Sequence, residues 1–531
     1  MRNKGLVVAI VGALVVGGVA FAAVRFVFRS SEDSAIELVP ADSFVYGNVF
    51  FRPSNGQKMA IEDILEAAGQ DPEETTNALT ELIDRGLEQC DATFEEDVDP
   101  HLGKQAAFFF LTPEDAEEQP DGAFLVGTEN EDGVRDLIEK CLDTLELDAE
   151  PEDRSYKGFD YDFYEQEESA VGFVNNFMVI GTEMGFRAAV DTAEGGESLA
   201  TSENYREVRE KVNEDNLAFF YLDFGPFMEL AEQSGQLTEE DRRALQLFGD
   251  AFEKPYAVSF FATSRGFVFE SASPWPGDGP LAPAMNVFEA ETHLEDLPGD
   301  AWLAFGIPEI GRLAAVVYET AVVFDPAETQ SGIEEFEEAS GLSFDTHIVD
   351  GLRGGRLFVD NGIGPATRGA LILETTDEEV AKEIVDALRT LSEQEGTLPL
   401  PLTLEGYDQG FTIVDPSSPA PVHLVVDGAR IVAGFGDEAT LAVLEGDESL
   451  AESQVFQDAR DLLGGGYEPY LFVDLNVVVD AFDAFVAPSI PDYPEDRIGP
   501  ITDALSHLTI GTKRDGDYVL QRTVIGAEQE D

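Results

Sequence analysis

Apolar and polar positions follow three patterns along this chain. Gly5 to Val24 carries no charged residue, whereas Phe44 to Phe51 alternates with the period of two of a half-buried strand. Met59–Gly69 and Glu73–Gln89 shift to a period near 3.6 and predict helices. Ala106–Leu111 and Ala123–Thr128 predict strands joined by an acidic loop, and Asp132–Leu145 predicts a helix with Leu137, Ile138, Cys141 and Leu145 on one face. Strands are expected near Tyr156, Ala170 and Phe177, the last two turning through Asn175-Asn176. Helices are expected over Met184–Thr192 and Ser202–Val212, then a strand over Leu217–Asp223 that ends where a helix begins. Two closing hairpins are expected: Ala257–Thr263 with Gly266–Ser271 across Ser264-Arg265, and Leu508–Thr512 with Tyr518–Val524 through Arg514-Asp515-Gly516. Hairpins outnumber strand–helix–strand alternations. The expected fold class is therefore α+β, with largely antiparallel sheets flanked by helices.

The uncharged run from residue 5 to 24 is long enough to cross a ~30 Å hydrocarbon layer as a helix. Arg2 and Lys4 favour a cytoplasmic N-terminus, and Arg25 and Arg29 close the run. The expectation is a membrane anchor over residues 1–30 that meets the lipid bilayer through residues 5–24. The chain would be single-pass in the cell membrane, with its body outside. A cleaved signal peptide is the alternative, because Ala20-Phe21-Ala22 has the small-x-small form of a cleavage site. Cutting near Ala22 would leave a secreted body.

An internal repeat organises the rest. The stretch Leu38-Val39-Pro40-Ala41-Asp42-Ser43-Phe44-Val45 recurs as Asp296-Leu297-Pro298-Gly299-Asp300-Ala301-Trp302-Leu303. Gly196-Glu197-Ser198-Leu199-Ala200-Thr201-Ser202 recurs as Asp447-Glu448-Ser449-Leu450-Ala451-Glu452-Ser453. Between and beyond these, Gly158-Phe159-Asp160 matches Gly406-Tyr407-Asp408, Phe94 matches Phe344, Tyr205 matches Phe456 and Asp223 matches Asp474. The order is kept throughout. The reading is two tandem homologous units, residues 36–272 and 289–526, with a Pro/Gly-rich linker over 273–288 and an acidic tail over 527–531.

Charge narrows the range of partners. Asp and Glu number 107 against 32 Lys and Arg, a formal net charge of -75. Such a surface repels nucleic-acid phosphates, so no nucleic acid is expected. It suits a saline or cation-rich medium, and cations or envelope proteins are the partners left open. The 38 Phe require a folded core. The two Cys, Cys90 and Cys141, have no CxxC or neighbouring His to hold zinc. Outside the cytoplasm they can form one disulfide; alternatively Cys141 is a small apolar residue on a helix face. The second repeat has Ser340 and Leu388 in their places.

Candidate chemistry is sparse. His101, His293, His347, His423 and His507 fall in no metal or catalytic motif, and no GxSxG, SxxK or phosphate-loop sequence occurs. Gly464-Gly465-Gly466 precedes a strand and reads as a turn. Glu95-Glu96-Asp97 with Asp99, and Asp160 with Asp162, are the acidic groups nearest to a calcium site, but solvated charge explains both. No catalytic, cofactor-binding or metal residue is assigned, and no cofactor is expected. Asp223 and Asp474 each end a strand before a helix, where capping is the ordinary role. The aromatic runs Phe108-Phe109-Phe110, Phe219-Phe220-Tyr221 and Phe260-Phe261 are explained by a sheet covered on both faces by helices.

The Pro-x-Asp openings at Pro40 and Asp42 and at Pro298 and Asp300, behind one N-terminal span, together with the late Ser-Leu-Ala block, resemble a bacterial family known as domain of unknown function 3352. The resemblance implies an extracytoplasmic, membrane-anchored protein and supplies no activity, cofactor or catalytic residue. Pro40 and Pro298 would fix the turn into the first strand of each repeat, and Asp42 and Asp300 would bond local backbone. The expected function is a non-enzymatic binding or scaffolding module. One alternative is a carrier of an apolar ligand or lipid in a cavity under the Phe-rich strands; another is a hydrolase using dispersed carboxylates.

Overall fold

A computed structural model describes residues 32–527 apart from 70, 72–79, 82, 114–118, 145–150, 166–167, 236, 248, 278, 280–281, 283–289, 361, 364–366, 416–417, 419, 447 and 486–503. The expected anchor, residues 5–24, lies outside the described residues, as do Leu145 and much of the helix expected over Glu73–Gln89. Among the described residues, no helix is long and apolar enough to cross a membrane.

The chain divides into two compact units. Residues 32–237 with 252–274 form one, and residues 238–251 with 275–527 form the other. In the first unit the strands are β1 (Ser43–Phe50), β2 (Leu102–Leu111), β3 (Gly122–Thr128), β4 (Glu152–Tyr156), β5 (Phe159–Tyr164), β6 (Ser169–Val174), β7 (Phe177–Thr182), β8 (Ala218–Leu222), β9 (Tyr256–Thr263) and β10 (Gly266–Pro274). Their order across the sheet is β4-β5-β6-β7-β3-β2-β1-β8-β9-β10, with every pairing antiparallel.

In the second unit the strands are β11 (Leu303–Pro308), β12 (Leu352–Asp360), β13 (Arg368–Thr375), β14 (Leu400–Pro401), β15 (Gly410–Ile413), β16 (Val422–Asp427), β17 (Arg430–Phe435), β18 (Glu468–Asp474), β19 (Leu505–Asp515) and β20 (Tyr518–Ala527). They run in the order β14-β15-β16-β17-β13-β12-β11-β18-β19-β20, again antiparallel throughout. The strand order is thus the same in both units.

The first strand of each unit lies inside its sheet because a turn fastens its start. Leu199 N–H donates to Val39 O at 2.8 Å and Ala41 N–H to Glu197 O at 3.0 Å, making a bridge between Pro40 and Ser198. Leu450 N–H donates to Leu297 O at 2.6 Å and Gly299 N–H to Glu448 O at 3.0 Å, bridging Pro298 and Ser449. The two stretches that recur in the sequence therefore touch each other in each unit. Leu38 and Leu199 are buried beneath the first bridge, and Leu297 and Leu450 beneath the second.

One face of each sheet packs against helices. In the first unit Tyr46, Phe109, Leu125, Val179 and Tyr221 meet the helices Glu183–Ala193 and Glu203–Arg209, which contribute Phe186, Val190, Tyr205 and Val208. In the second, Ala304, Phe358, Ala370, Val432 and Phe472 pack on Ala439, Phe456 and Ala459 from the helices Asp437–Glu445 and Gln454–Leu463.

Several boundaries differ from the periodic pattern. β2 starts at Leu102, four residues early, because a bulge at Gly103–Gln105 breaks its alternation. β5 (Phe159–Tyr164) is a strand of its own beyond the one expected near Tyr156, and Phe159, Tyr161 and Phe163 alternate in it with Asp160 and Asp162. Asp515 pairs with Tyr518, so that hairpin turns at Gly516-Asp517, one residue later than expected, with Gly516 at φ 63°. The hairpin across Ser264-Arg265 is as expected, with Thr263 opposite Gly266. β10 runs on to Pro274, and the helix Glu239–Leu247 falls in the second unit, beside the helix Ile310–Phe324.

Truncating a leucine under either bridge should loosen the whole unit. Leu199→Ala or Leu450→Ala is expected to cost about 2–5 kcal/mol in urea denaturation. Asp42→Ala, whose side chain is exposed, should stay within about 0.5 kcal/mol.

Candidate functional site

The second face of each sheet is where the pattern of the chain and the packing part company. In the first unit, Val258, Phe220, Gly47, Phe108 and Phe124 stand in one row across β9, β8, β1, β2 and β3. Val45, Phe110 and Leu222 flank the row on one side, and Val49, Ala218, Phe260 and Phe269 on the other. The Phe108 ring centroid lies 6.0–6.4 Å from those of Phe110, Phe124 and Phe220, and Phe260 stacks on Phe269 at 4.5 Å. Gly47 makes this possible: a Cβ there would lie 2.5 Å from Cε1 of Phe108, so the absent side chain lets the ring lie over β1.

Among the described residues, the helices Asn55–Ala67 and Glu131–Thr144 lie on the flanks of this face. The helix Asn55–Ala67 is stitched to β9 by Gln57, which accepts from Ala262 N–H at 2.7 Å and donates to its carbonyl at 3.3 Å. The helix Glu131–Thr144 places Val134 and Ile138 against Val126, Phe173 and Met178. Between them Phe220 is 36% exposed, Val258 37% and Phe269 42%. The expectation that both faces are covered is corrected here. Strand alternation sends Phe219 and Tyr221 under helices but leaves their neighbour Phe220 at the surface.

The second unit has an aliphatic counterpart. Phe305, Leu357, Leu371, Leu471 and Ile510 form one register row on its second face. A groove of about 470 Å3 runs over Leu357, Val359, Leu371, Ala433 and Phe435, with Leu371 40% exposed. The helix Glu378–Gln394 covers the neighbouring end of that face through Ile384 and Val385. The space beside Phe94, Val126 and Leu137 measures about 40 Å3, too small for an acyl chain.

The residues singled out from the sequence do structural work. Pro40 and Pro298 sit in the two bridges. Asp42 is exposed, and Asp300 faces the Arg368 guanidinium at 4.0 Å. Asp223 is buried: Oδ1 accepts from Gly225 N–H at 3.0 Å, and Oδ2 from Asn204 at 2.9 Å and Tyr221 at 3.3 Å. Asp474 Oδ1 accepts from Asn476 N–H at 3.0 Å at the start of the helix Leu475–Phe485. Both aspartates thus cap turns into helices. Cys90 and Cys141 are joined as a disulfide, with Cα atoms 4.4 Å apart, which ties the turn Glu88–Cys90 to the helix Glu131–Thr144.

Two of the acidic residues singled out, Asp97 and Asp162, are shaped by their surroundings. Asp97 accepts from Thr93 N–H at 2.8 Å and from Lys140 at 2.9 Å, and these bonds hold its carboxyl below the usual range. Asp162 is pushed up by burial, with Arg135 opposing. Among the described residues, no group of three or more His, Cys, Asp or Glu is placed to hold a metal ion. One arrangement had no sequence signal: His423 binds Thr412 Oγ1 through Nδ1 at 3.0 Å and Asp437 through Nε2 at 2.7 Å. The three residues meet only because the β15–β16 register sets Thr412 opposite His423. Thr412 and His423 are both buried, and the line ties β15 and β16 to the start of the helix Asp437–Glu445.

A family profile described as "Protein of unknown function (DUF3352)" matches residues 5–523. No curated protein sequence matches the chain. Among solved structures, crystal form I of TP0453 aligns at 8% identity over 47% of this chain and 82% of that one, with a TM-score of 0.23. A likeness of that size carries no argument about function.

Two outcomes test this account of the site. Replacing Cys90 and Cys141 together by Ser opens a 51-residue loop and should cost the first unit about 4 kcal/mol in denaturant midpoint experiments, with reductant matching it in the parent chain. Burial raises the Asp360 carboxyl, with the Arg368 guanidinium at 3.1 Å opposing and Asp300 adding to the rise. The folded state then holds this proton to a higher pH than the unfolded chain. Its contribution to stability is present at acid pH and is lost as pH rises through the raised value. Asp360→Asn should flatten that limb of a stability-against-pH curve.

Proposed function

The chain belongs to this family of proteins of unknown function, and on that footing we propose that it is a membrane-tethered, extracytoplasmic, non-enzymatic binding module whose open sheet faces hold apolar ligands. The carrying observation is the pair of exposed rings at Phe220 and Phe269, on the face where Phe220 packs beside the partly buried Phe108. A soluble surface with a formal net charge of -75 has no solvation reason to leave adjacent Phe side chains open to water. Rings stacked across a glycine are rigid before any ligand arrives, so little side-chain freedom is lost on binding.

The tether is the uncharged run of residues 5–24, and Arg2 and Lys4 orient it with the body outside. The same strand order and the same bridge in each unit support a tandem duplication. Two units then offer two apolar faces, one aromatic and one aliphatic. The acidic body is repelled by anionic lipid headgroups, so the sheet does not lie flat on a membrane. An apolar chain has to come to the face.

The full chain in amphipol, titrated with a neutral pyrene-labelled alkanol, tests this. Phe220→Ser combined with Phe269→Ser should weaken binding about tenfold, or ~1.4 kcal/mol, with circular dichroism unchanged. Unaltered affinity in that folded variant would sink the proposal.

A further inference from the structure

We propose that the first unit carries a second, polar binding site for a neutral sugar, at the end of its sheet beside the segment that follows the tether. β2 pairs Leu102 with Thr128 and Ala106 with Val126, so its bulge holds two residues more than the facing strand. Gly103 and Gly127 meet across that bulge, where a Cβ on Gly103 would collide with the backbone of Gly127. A cavity of about 510 Å3 opens there, lined by Ser34, Glu37, Lys104, Thr128, Asn175 and Asn176. This is within the ~300–1,000 Å3 of small-molecule sites.

The walls are built, not loose. Gln105 is fully buried; its Nε2 donates to Asp33 at 2.8 Å and its Oε1 accepts from Ser34 N–H at 3.4 Å. The other oxygen of Asp33 accepts from Tyr46 at 2.7 Å and Asn48 at 2.6 Å. Thr128 N–H donates to Asn176 O at 2.8 Å, which holds the Asn turn over the opening.

The second unit shows what closes such a space. Arg356 stands opposite Ile372 on β12 and β13, as Ala107 stands opposite Leu125 on β2 and β3. Its guanidinium donates to Glu374 at 2.5 Å and to His293 O at 3.0 Å, and reaches Asp296 at 3.5 Å. Where the second unit has this plug of Arg356, Glu374 and Asp296, the first has Ala107, Gly127 and Leu38.

The lining selects the chemistry. Lys104 and the two Asn amides can donate, while Glu37, Glu129, the Asn carbonyls and the Ser34 hydroxyl can accept; Glu129 is paired with Arg52 at 2.7 Å, and the Thr128 hydroxyl is taken up by His101 O and Asn130 N–H. A phosphate wants donors alone, and Glu37 opposes it. A divalent cation wants six to eight oxygens, and Lys104 opposes it. Adjacent hydroxyls that each donate and accept match the mixture, and the volume suits a mono- or disaccharide. Ser34 follows the end of the expected bilayer segment by ten residues, at most ~35 Å of chain. A free sugar and the sugar of a lipid headgroup both reach that far.

Saturation-transfer NMR on the full chain in phosphatidylcholine nanodiscs tests the site. One arm adds maltose, cellobiose, mannose or N-acetylglucosamine; the other uses discs carrying diglucosyl diacylglycerol. Transfer to at least one probe is expected, and the arm in which it appears identifies the source. Lys104→Ala with Asn176→Ala should lower affinity at least tenfold, as should the plugging change Gly127→Glu. Phe220→Ser with Phe269→Ser should leave it unchanged, which separates this site from the apolar faces. No transfer from any probe, or transfer that survives Lys104→Ala with Asn176→Ala, would overturn the assignment.

Discussion

The backbone bridge between the opening turn and the Ser-Leu-Ala block is the constraint from which each unit follows. It pins the start of β1 and of β11, strands that stand in the middle of their sheets, hydrogen-bonded on both sides. The segments it joins are more than 150 residues apart in sequence, so neither half of a unit can complete the sheet alone. Leucines buried under the bridge then convert a few hydrogen bonds into a fixed corner of the core, because water cannot reach the bonds to compete for them.

A central first strand also dictates the two faces. Side chains alternate along it, so one set is committed to the helices after β7 and β17 and the other set to whatever lies opposite. The helices Asn55–Ala67 and Glu131–Thr144 lie on the flanks of that opposite face. Among the described residues, the middle is left to Phe108, Phe220 and their neighbours. A chain this acidic gains solubility from its remaining surface, which is how it tolerates an open aromatic row that would drive a neutral protein to aggregate.

Much of this was legible in the sequence, and the limits have physical causes. The repeated stretches at Leu38–Val45 and Gly196–Ser202 stood out, but their contact with each other did not, because sequence similarity carries no information about which segments pair. The strand at Phe44 was visible from alternation, that at Ala123 from its short apolar run, and the hairpin at Ser264-Arg265 from its short polar turn. β5 was not separated from the strand expected near Tyr156, although Asp160 and Asp162 alternate there with Phe159, Tyr161 and Phe163. Aromatic triplets such as Phe219-Phe220-Tyr221 were misread as doubly buried. Composition can tell that a strand is apolar on both sides, but only the reach of the helices decides which side is covered. The line of Thr412, His423 and Asp437 depended on strand register and was beyond any spacing rule.

The two units share a strand order but differ where chemistry would be done. At the bulged end of the sheet the second has a buried arginine answered by two carboxylates. Such a group is costly to bury unless every charge is met, so the site is closed by its own side chains. At the three matching positions the first has Ala107, Gly127 and Leu38, and Gly127 and Leu38 line the cavity. On the open faces the contrast runs the other way, with aromatic rings in the first unit and smaller aliphatic chains over a groove in the second. Two scaffolds fixed by the same backbone bridge are thereby free to vary in their surfaces, because the bridge and its leucines, not the surface residues, hold the strand order.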